Sequence, residues 1–217
     1  MKVLFLSKKN DIHSEKALAH LNQLGWDVSS YFGDWGDNIP TSLLNWQGDL
    51  IVSYLSRWIV PQSLLSRAKV GAINFHPAPP EYPGIGCINF ALYNNEGTFG
   101  VTCHHMLVEV DTGDIIAVKR FPIYSNDNVQ SLLQRAYDFQ LTLFYEVIDN
   151  FYVNNVFSQS TERWTRKPYT RSEFNELFKI TAEMSKVEIK NRIRAVSYEK
   201  YQPWIEIQGE IFFYKPE

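Results

Sequence analysis

Cysteine is scarce in this chain of 217 residues, with Cys87 and Cys103 as its whole complement. Two cysteines do not make a disulfide framework, so the fold has to hold by burial, as expected in a reducing compartment. No apolar run approaches the roughly 20 residues that a membrane-spanning helix needs. The short apolar stretch in MKVLFLSKKND lacks a cleavage pattern and suits a strand better than a signal peptide. Positive charge is not in excess either: the formal net charge is −3, which gives generic nucleic-acid binding no electrostatic support. Internal repeats and low-complexity tracts are also missing. The expectation is a cytoplasmic protein with no membrane and no nucleic-acid partner.

What remains is the composition of an ordinary globular protein, 45% hydrophobic and 21% charged, long enough for one sizeable core and a small appendage. KVLFLS (2–7) reads as a buried strand, and DIHSEKALAHLNQLG as a helix with Gly25 beyond its end. WDVSSYFG and DLIVSYL read as further strands, PQSLLSRA as a helix opened by proline, and VGAINFH as a fourth strand. This alternation predicts an α/β fold, a doubly wound, mostly parallel sheet with helices on both faces. CINFALYNNEG predicts a helix ending near Gly97. FGVTCHHMLVEVDTGDIIAVKRFPI predicts two strands meeting at a tight DTGD turn, and the apolar spacing from Asn128 to Val153 predicts a long helix. Beyond it lie two helical patterns (171–179 and 185–195) and a closing hairpin in WIEIQGEIFFYKP. The organisation is a core over 1–155 with a small helical and hairpin extension over 156–217. Residues 161–200 carry ten basic and six acidic side chains, which suits either a solvated helical face or contact with substrate phosphates.

Ten prolines serve the whole chain, yet four fall within INFHPAPPEYPG (73–84). Asn74 and His76 sit at the end of a strand, where open α/β sheets bind ligands. Being two residues apart, they share a face. Asp111 in DTGD follows another strand and can approach the same crevice. Alone, each reads as a strand-end amide, a loop histidine and a turn carboxylate. Together an amide, an imidazole and a carboxylate suit acyl transfer to an amine. His104 and His105 invite a metal reading with His76 and Cys103, but neighbouring strand residues face opposite ways and no ligand spacing repeats, so no metal is expected. PGIGCINF lacks the GxGxxG spacing of a dinucleotide loop.

Asn-x-His-Pro, a Pro/Tyr/Gly loop, Gly-x-Thr with a histidine two residues on, and Val-Asp-Thr-Gly-Asp together resemble the 10-formyltetrahydrofolate-dependent formyltransferases. The resemblance covers residues 2–122 well and the C-terminal third loosely. It implies a catalytic trio of Asn74, His76 and Asp111, and a formyl carbon attacked by a substrate amine. It also implies 10-formyltetrahydrofolate as co-substrate, with SYLSRWIVP lining the pterin pocket. Arg57, Trp58, Ile59, Val60, His104 and Glu109 are then the expected folate neighbours. Tyr82, Pro83 and Gly84 are expected on the acceptor side.

Within that family the first strand leads into SKKNDIHSE, without the Gly/Ser-rich phosphate turn of glycinamide ribonucleotide transformylase. The tRNA enzyme's C-terminal barrel and the folate hydrolase's N-terminal regulatory domain are not expected here either. The chain is most similar to the sugar-nucleotide N-formyltransferases. Their likeness implies an NDP-linked amino sugar as acceptor and a bacterial role in O-antigen or other surface glycan synthesis. Trp164, Arg166 and Lys167 are then expected at the nucleotide, and the C-terminal hairpin at a homodimer interface. Two other readings stand beside this one. One is a tRNA formyltransferase without its barrel; the other is a non-catalytic folate or nucleotide-sugar binding protein, which would not need the trio.

Overall fold

The computed structural model describes residues 1–215. Its centre is a six-stranded sheet built from β1 (Lys2–Lys8), β2 (Asp27–Gly33), β3 (Gly48–Tyr54), β4 (Ala68–His76), β5 (Thr98–His105) and β6 (Ile115–Pro122), in the order β2-β1-β3-β4-β5-β6. The first four strands in that order are parallel, and β5 and β6 complete the sheet antiparallel. Parallel strands covered on both faces need apolar side chains in both directions. β1 supplies them: Val3 and Phe5 join one hydrophobic cluster, Leu4 and Leu6 the other, and all four are fully buried. The first cluster lies under α1 (Ile12–Gln23) and the long α4 (Val129–Asn154). The second lies under the 3-10 turn Thr41–Asn45 and the short α2 (Gln62–Leu65). The expected α/β sheet with helices on both faces is therefore present.

The two longest helices have capped starts. Asp11 caps α1 by accepting from the Ser14 amide at 2.9 Å. Asn128 and Ser131 form a reciprocal capping box at the start of α4. Along α4, Leu132, Ala136, Leu143, Phe144, Val147, Ile148 and Phe151 are buried, and Phe144 packs within 5.0–5.3 Å of the Phe75 and Tyr54 rings.

Two sequence expectations shift. The helix expected to end near Gly97 is α3 (Cys87–Tyr93), because Asn94 closes it and Asn95 takes φ +56°. The tight DTGD turn is instead a loop spanning 106–114 between β5 and β6. It turns back at Asp111, whose φ is +51°, and at Gly113, where a Cβ would lie 1.9 Å from the His105 carbonyl oxygen.

The C-terminal segment contributes α5 (Arg171–Leu177), α6 (Lys186–Val196) and a three-stranded sheet of β7 (Lys179–Ile180), β8 (Trp204–Ile207) and β9 (Glu210–Phe213). It docks on the core through a bridge between Gly84 and Tyr169 and through Leu177, Ala195 and Val196, which share the larger cluster. Tyr169 also stacks on Phe90 at 3.8 Å. β7 was not anticipated. At two residues it is too short to leave a periodic signal.

Candidate active site

β3 and β4 run in register, with Ser53 beside Asn74, and β4 pairs antiparallel with β5, with Asn74 opposite His104 and His76 opposite Thr102. That register brings Asn74, His76 and His104 to one place on the carboxyl edge of the parallel strands. Cross-strand neighbours lie close enough for side chains to touch. The 106–114 loop then carries Asp111 over them. Asp111 Oδ2 lies 3.3 Å from His76 Nδ1, and its Oδ1 lies 3.3 Å from His104 Nε2. The Gly84 amide donates to Oδ2 at 2.8 Å. All three ionisable groups are nearly dry, at 5% exposure for His76, 4% for Asp111 and 2% for His104.

Both ring nitrogens of His76 face acceptors. Nδ1 faces the Asp111 carboxylate, and Nε2–H donates to the Tyr82 carbonyl at 3.0 Å. Burial by itself pushes the imidazole toward neutrality. The Asp111 charge, followed by Cys87 and the Tyr82 carbonyl, outweighs it and holds the His76 pKa at about 9. Asp111 shows the mirror image: burial raises its pKa, and His76, His104 and the Gly84 amide bring it down to about 2. The pair is therefore an imidazolium and a carboxylate at neutral pH.

His104 serves Asn74. Its Nδ1–H donates to the His105 carbonyl at 2.8 Å, and its Nε2 lies 3.1 Å from Asn74 Nδ2. With the proton on Nδ1, Nε2 accepts from the Asn74 amide, which leaves the second amide hydrogen free for the cavity. With Nε2 protonated, it donates to Asp111 instead, and the Asn74 amide must present its oxygen. His105 points the other way, toward the Phe157 ring at 5.7 Å, as strand alternation requires.

These groups line a cavity of about 750 Å³, in the size range of small-molecule sites. Arg57, Trp58, Ile59, Val60, Glu109 and Gly84 line it with them. Ile59, Leu107 and Val108 are 73%, 56% and 60% exposed there, an apolar wall that a flat aromatic ligand can cover. Among the described residues no cluster of three or more His, Cys, Asp and Glu side chains could hold a metal ion.

Several expected binding residues lie elsewhere. Tyr82 and Pro83 stand behind the cavity wall; Tyr82 is buried, with its hydroxyl donating to Glu96. Trp164, Arg166 and Lys167 also lie outside the cavity lining, because the segment after α4 folds back against the core. The Trp164 ring packs edge-on to His104 and His76 at 5.0 and 5.9 Å, and its Nε1–H donates to the Gly113 carbonyl at 2.8 Å. It braces the site from behind. Arg166 lies over the Tyr169 ring and pairs with Glu173 at 3.0 Å, so its charge is already used. Trp35 and Arg171 are among the lining residues that the sequence pattern does not single out. Trp35 lies just past the end of β2, and Arg171 opens α5, which the folding back of the chain brings to this cavity.

The chain is similar to the methionyl-tRNA formyltransferase of Listeria innocua, with 29% identity over 165 residues, 75% of this chain and 50% of that protein. It thus spans about half the length of the curated relatives it matches. Among solved structures, a sugar N-formyltransferase from Shewanella sp. FDAARGOS_354 superposes with a TM-score of 0.79 at 20% identity, covering 100% of this chain and 97% of that one. The N-formyltransferase of Helicobacter canadensis, in complex with folinic acid and dTDP-3-aminofucose, gives 0.71 at 23% identity over 96% and 85%. At these identities the likeness shows a shared fold. The formyl transferase pattern matches residues 34–148, a stretch that holds β3, β4 and the 106–114 loop and with them Asn74, His76, His104 and Asp111, and the chain belongs to that family.

Proposed function

We propose that this protein transfers the formyl group of 10-formyltetrahydrofolate to the amine of an NDP-linked amino sugar. The observation that carries the reading is the dry His76–Asp111 ion pair beside Asn74, on the floor of a cavity at the carboxyl edge of the sheet. An imidazolium held charged to a pKa of about 9 beside a cavity suits a site that works on charge. Acyl transfer does so, because negative charge develops on the formyl oxygen as the amine attacks.

The residues divide that work. The side-chain amide of Asn74 and the charge of the His76 ring stabilise the oxygen as it gains charge. Asp111 keeps His76 protonated, and the Gly84 amide and Trp164 keep Asp111 and both rings in place. The bond from the formyl carbon to the folate nitrogen breaks as the bond to the sugar nitrogen forms. The amine proton ends on the departing folate nitrogen, so that tetrahydrofolate leaves neutral at that atom, and no metal takes part. The apolar wall of Ile59, Leu107 and Val108 suits the pterin ring.

Sugar as acceptor is supported by folds that match this chain over its whole length, C-terminal segment included, and by the dTDP-3-aminofucose bound to the Helicobacter canadensis protein. A role in bacterial surface glycan synthesis, a cytoplasmic location and a homodimer joined through the β8–β9 hairpin complete the proposal. The curated relatives favour a second reading, formylation of initiator tRNA. Incubation of the purified protein with 10-formyltetrahydrofolate and either a panel of NDP-amino sugars or charged initiator tRNA separates the two. A gain of one formyl group by a sugar, seen by mass spectrometry, supports the first; formylated tRNA with no sugar product overturns it.

A further inference from the structure

Two guanidinium groups approach the exposed ring of Trp35 at the cavity lining. Arg57 lies 4.4 Å from its centre and Arg171 5.9 Å. The three come from separate segments: the connection after β2, the loop after β3 and the first residue of α5. Trp35 is 65% exposed, unusual for so large an apolar side chain. The arginines are unusual in another way. Every other arginine of the chain donates at least one hydrogen bond, whereas among the described residues Arg57 and Arg171 have neither a hydrogen bond nor an ion pair. The Nε of Arg57 is buried with no acceptor, a state that costs free energy unless something outside the chain completes it. The acidic side chains in the lining are Glu109 and Asp111, and Asp111 is already committed to the histidines.

We propose that Arg57 and Arg171, gathered at Trp35, form an anion subsite that receives the diphosphate of the acceptor. This rests on the nucleotide-sugar reading above. Planar guanidinium groups match phosphate oxygens in a bidentate manner, and two of them match two phosphates. The other anion available to this cavity is the glutamate tail of the folate. The diphosphate is favoured because Phe174, Phe178 and Tyr201 line the cavity on the same C-terminal segment as Arg171, and Lys200 adds a further cation. A nucleobase finds aromatic faces there, next to the charges that hold its phosphates.

Isothermal titration of the full chain tests this with dTDP, UDP and GDP as one set of probes and folinic acid as the other. Arg57→Gln and Arg171→Gln are each expected to weaken the best nucleoside diphosphate by about 10- to 100-fold, with the folinic acid affinity of Arg171→Gln within about twofold of wild type. Thermal melts of both variants are expected to match wild type, since neither side chain holds another part of the fold. A wild-type chain that binds a nucleoside diphosphate as tightly as both variants do overturns the subsite and leaves the proposed function standing. Weakened folinic acid binding with unchanged diphosphate binding assigns the arginines to the folate tail and likewise overturns it. A wild-type chain that binds folinic acid and none of the diphosphates overturns both the subsite and the nucleotide-sugar reading.

Discussion

Asp111→Asn removes one charge and almost no volume, and its consequence can be worked from the site. His76 sits at a pKa of about 9 because the Asp111 carboxylate overcomes the cost of burying the ring. Without that charge, burial is the largest influence left, and the ring returns to about 6.5 or below. The difference of at least about 2.5 pKa units corresponds to roughly 3 kcal/mol. At pH 7.5 the wild-type ring is about 97% charged and the variant's about 10% or less. Loss of a charge that stabilises the oxyanion is expected to cost about 10²- to 10³-fold in kcat, so turnover at neutral pH falls by that factor and recovers in part below pH 6. Stability follows the same pair. His76 has a folded pKa above its unfolded value, so its contribution is complete below about pH 6.5 and is lost as pH rises through 9. Asp111 has a folded pKa of about 2 against an ordinary 3.8, so its contribution is complete above about pH 4 and is lost as pH falls through 2. Between these limits the variant is expected to be less stable than wild type by a few kcal/mol. NMR titration of ring carbons in ¹³C-histidine-labelled protein reads the pKa directly. A wild-type His76 that titrates near 6.5, or a variant with undiminished turnover at pH 7.5, would refute the reasoning.

Three other perturbations follow from the structure. Asn74→Ala deletes the amide that His104 orients, and kcat is expected to drop about 10²- to 10³-fold with folinic acid affinity nearly unchanged; His76→Asn should abolish turnover on the same terms. Gly84→Ala introduces a Cβ 2.5 and 2.6 Å from backbone atoms of Tyr169 at a φ of +90°, so a destabilisation of about 2 kcal/mol is expected, a fall of roughly 4–8 °C in Tm by calorimetry. β9 is the free edge of its sheet, with Ile211, Phe212 and Phe213 54%, 54% and 67% exposed, and such an edge invites pairing; light scattering is expected to give a dimer that Ile211→Lys with Phe213→Lys converts to monomer, and a monomeric wild type would remove that interface.

How far the sequence reaches depends on whether a feature is local. The alternation that places Val3 and Phe5 on one face and Leu4 and Leu6 on the other is local to one strand, and so is the shared face of Asn74 and His76. Both are legible because a strand has a fixed period. The 106–114 loop was misread for a physical reason: Leu107, Val108 and Val110 alternate like a strand, yet they are exposed along the cavity. Apolar residues meant to meet a ligand carry the same pattern as those meant to meet a core. Trp164 and Arg171 take their positions from how the C-terminal segment folds back, which no local period encodes. Trp164, an expected nucleotide contact, packs edge-on to the two histidines. Arg166, expected beside it, spends its charge on Tyr169 and Glu173.

The central claim is that Asn74, His76 and Asp111 move a formyl group onto a sugar amine. The most direct measurement follows a ¹³C-labelled formyl group from 10-formyltetrahydrofolate by NMR, with an NDP-amino sugar as acceptor. The wild-type chain is expected to give a new nitrogen-bound formyl signal on the sugar, and His76→Asn to give none while still binding folinic acid. Label that stays on the folate with every sugar tried, or that moves equally well in the His76 variant, would contradict the account.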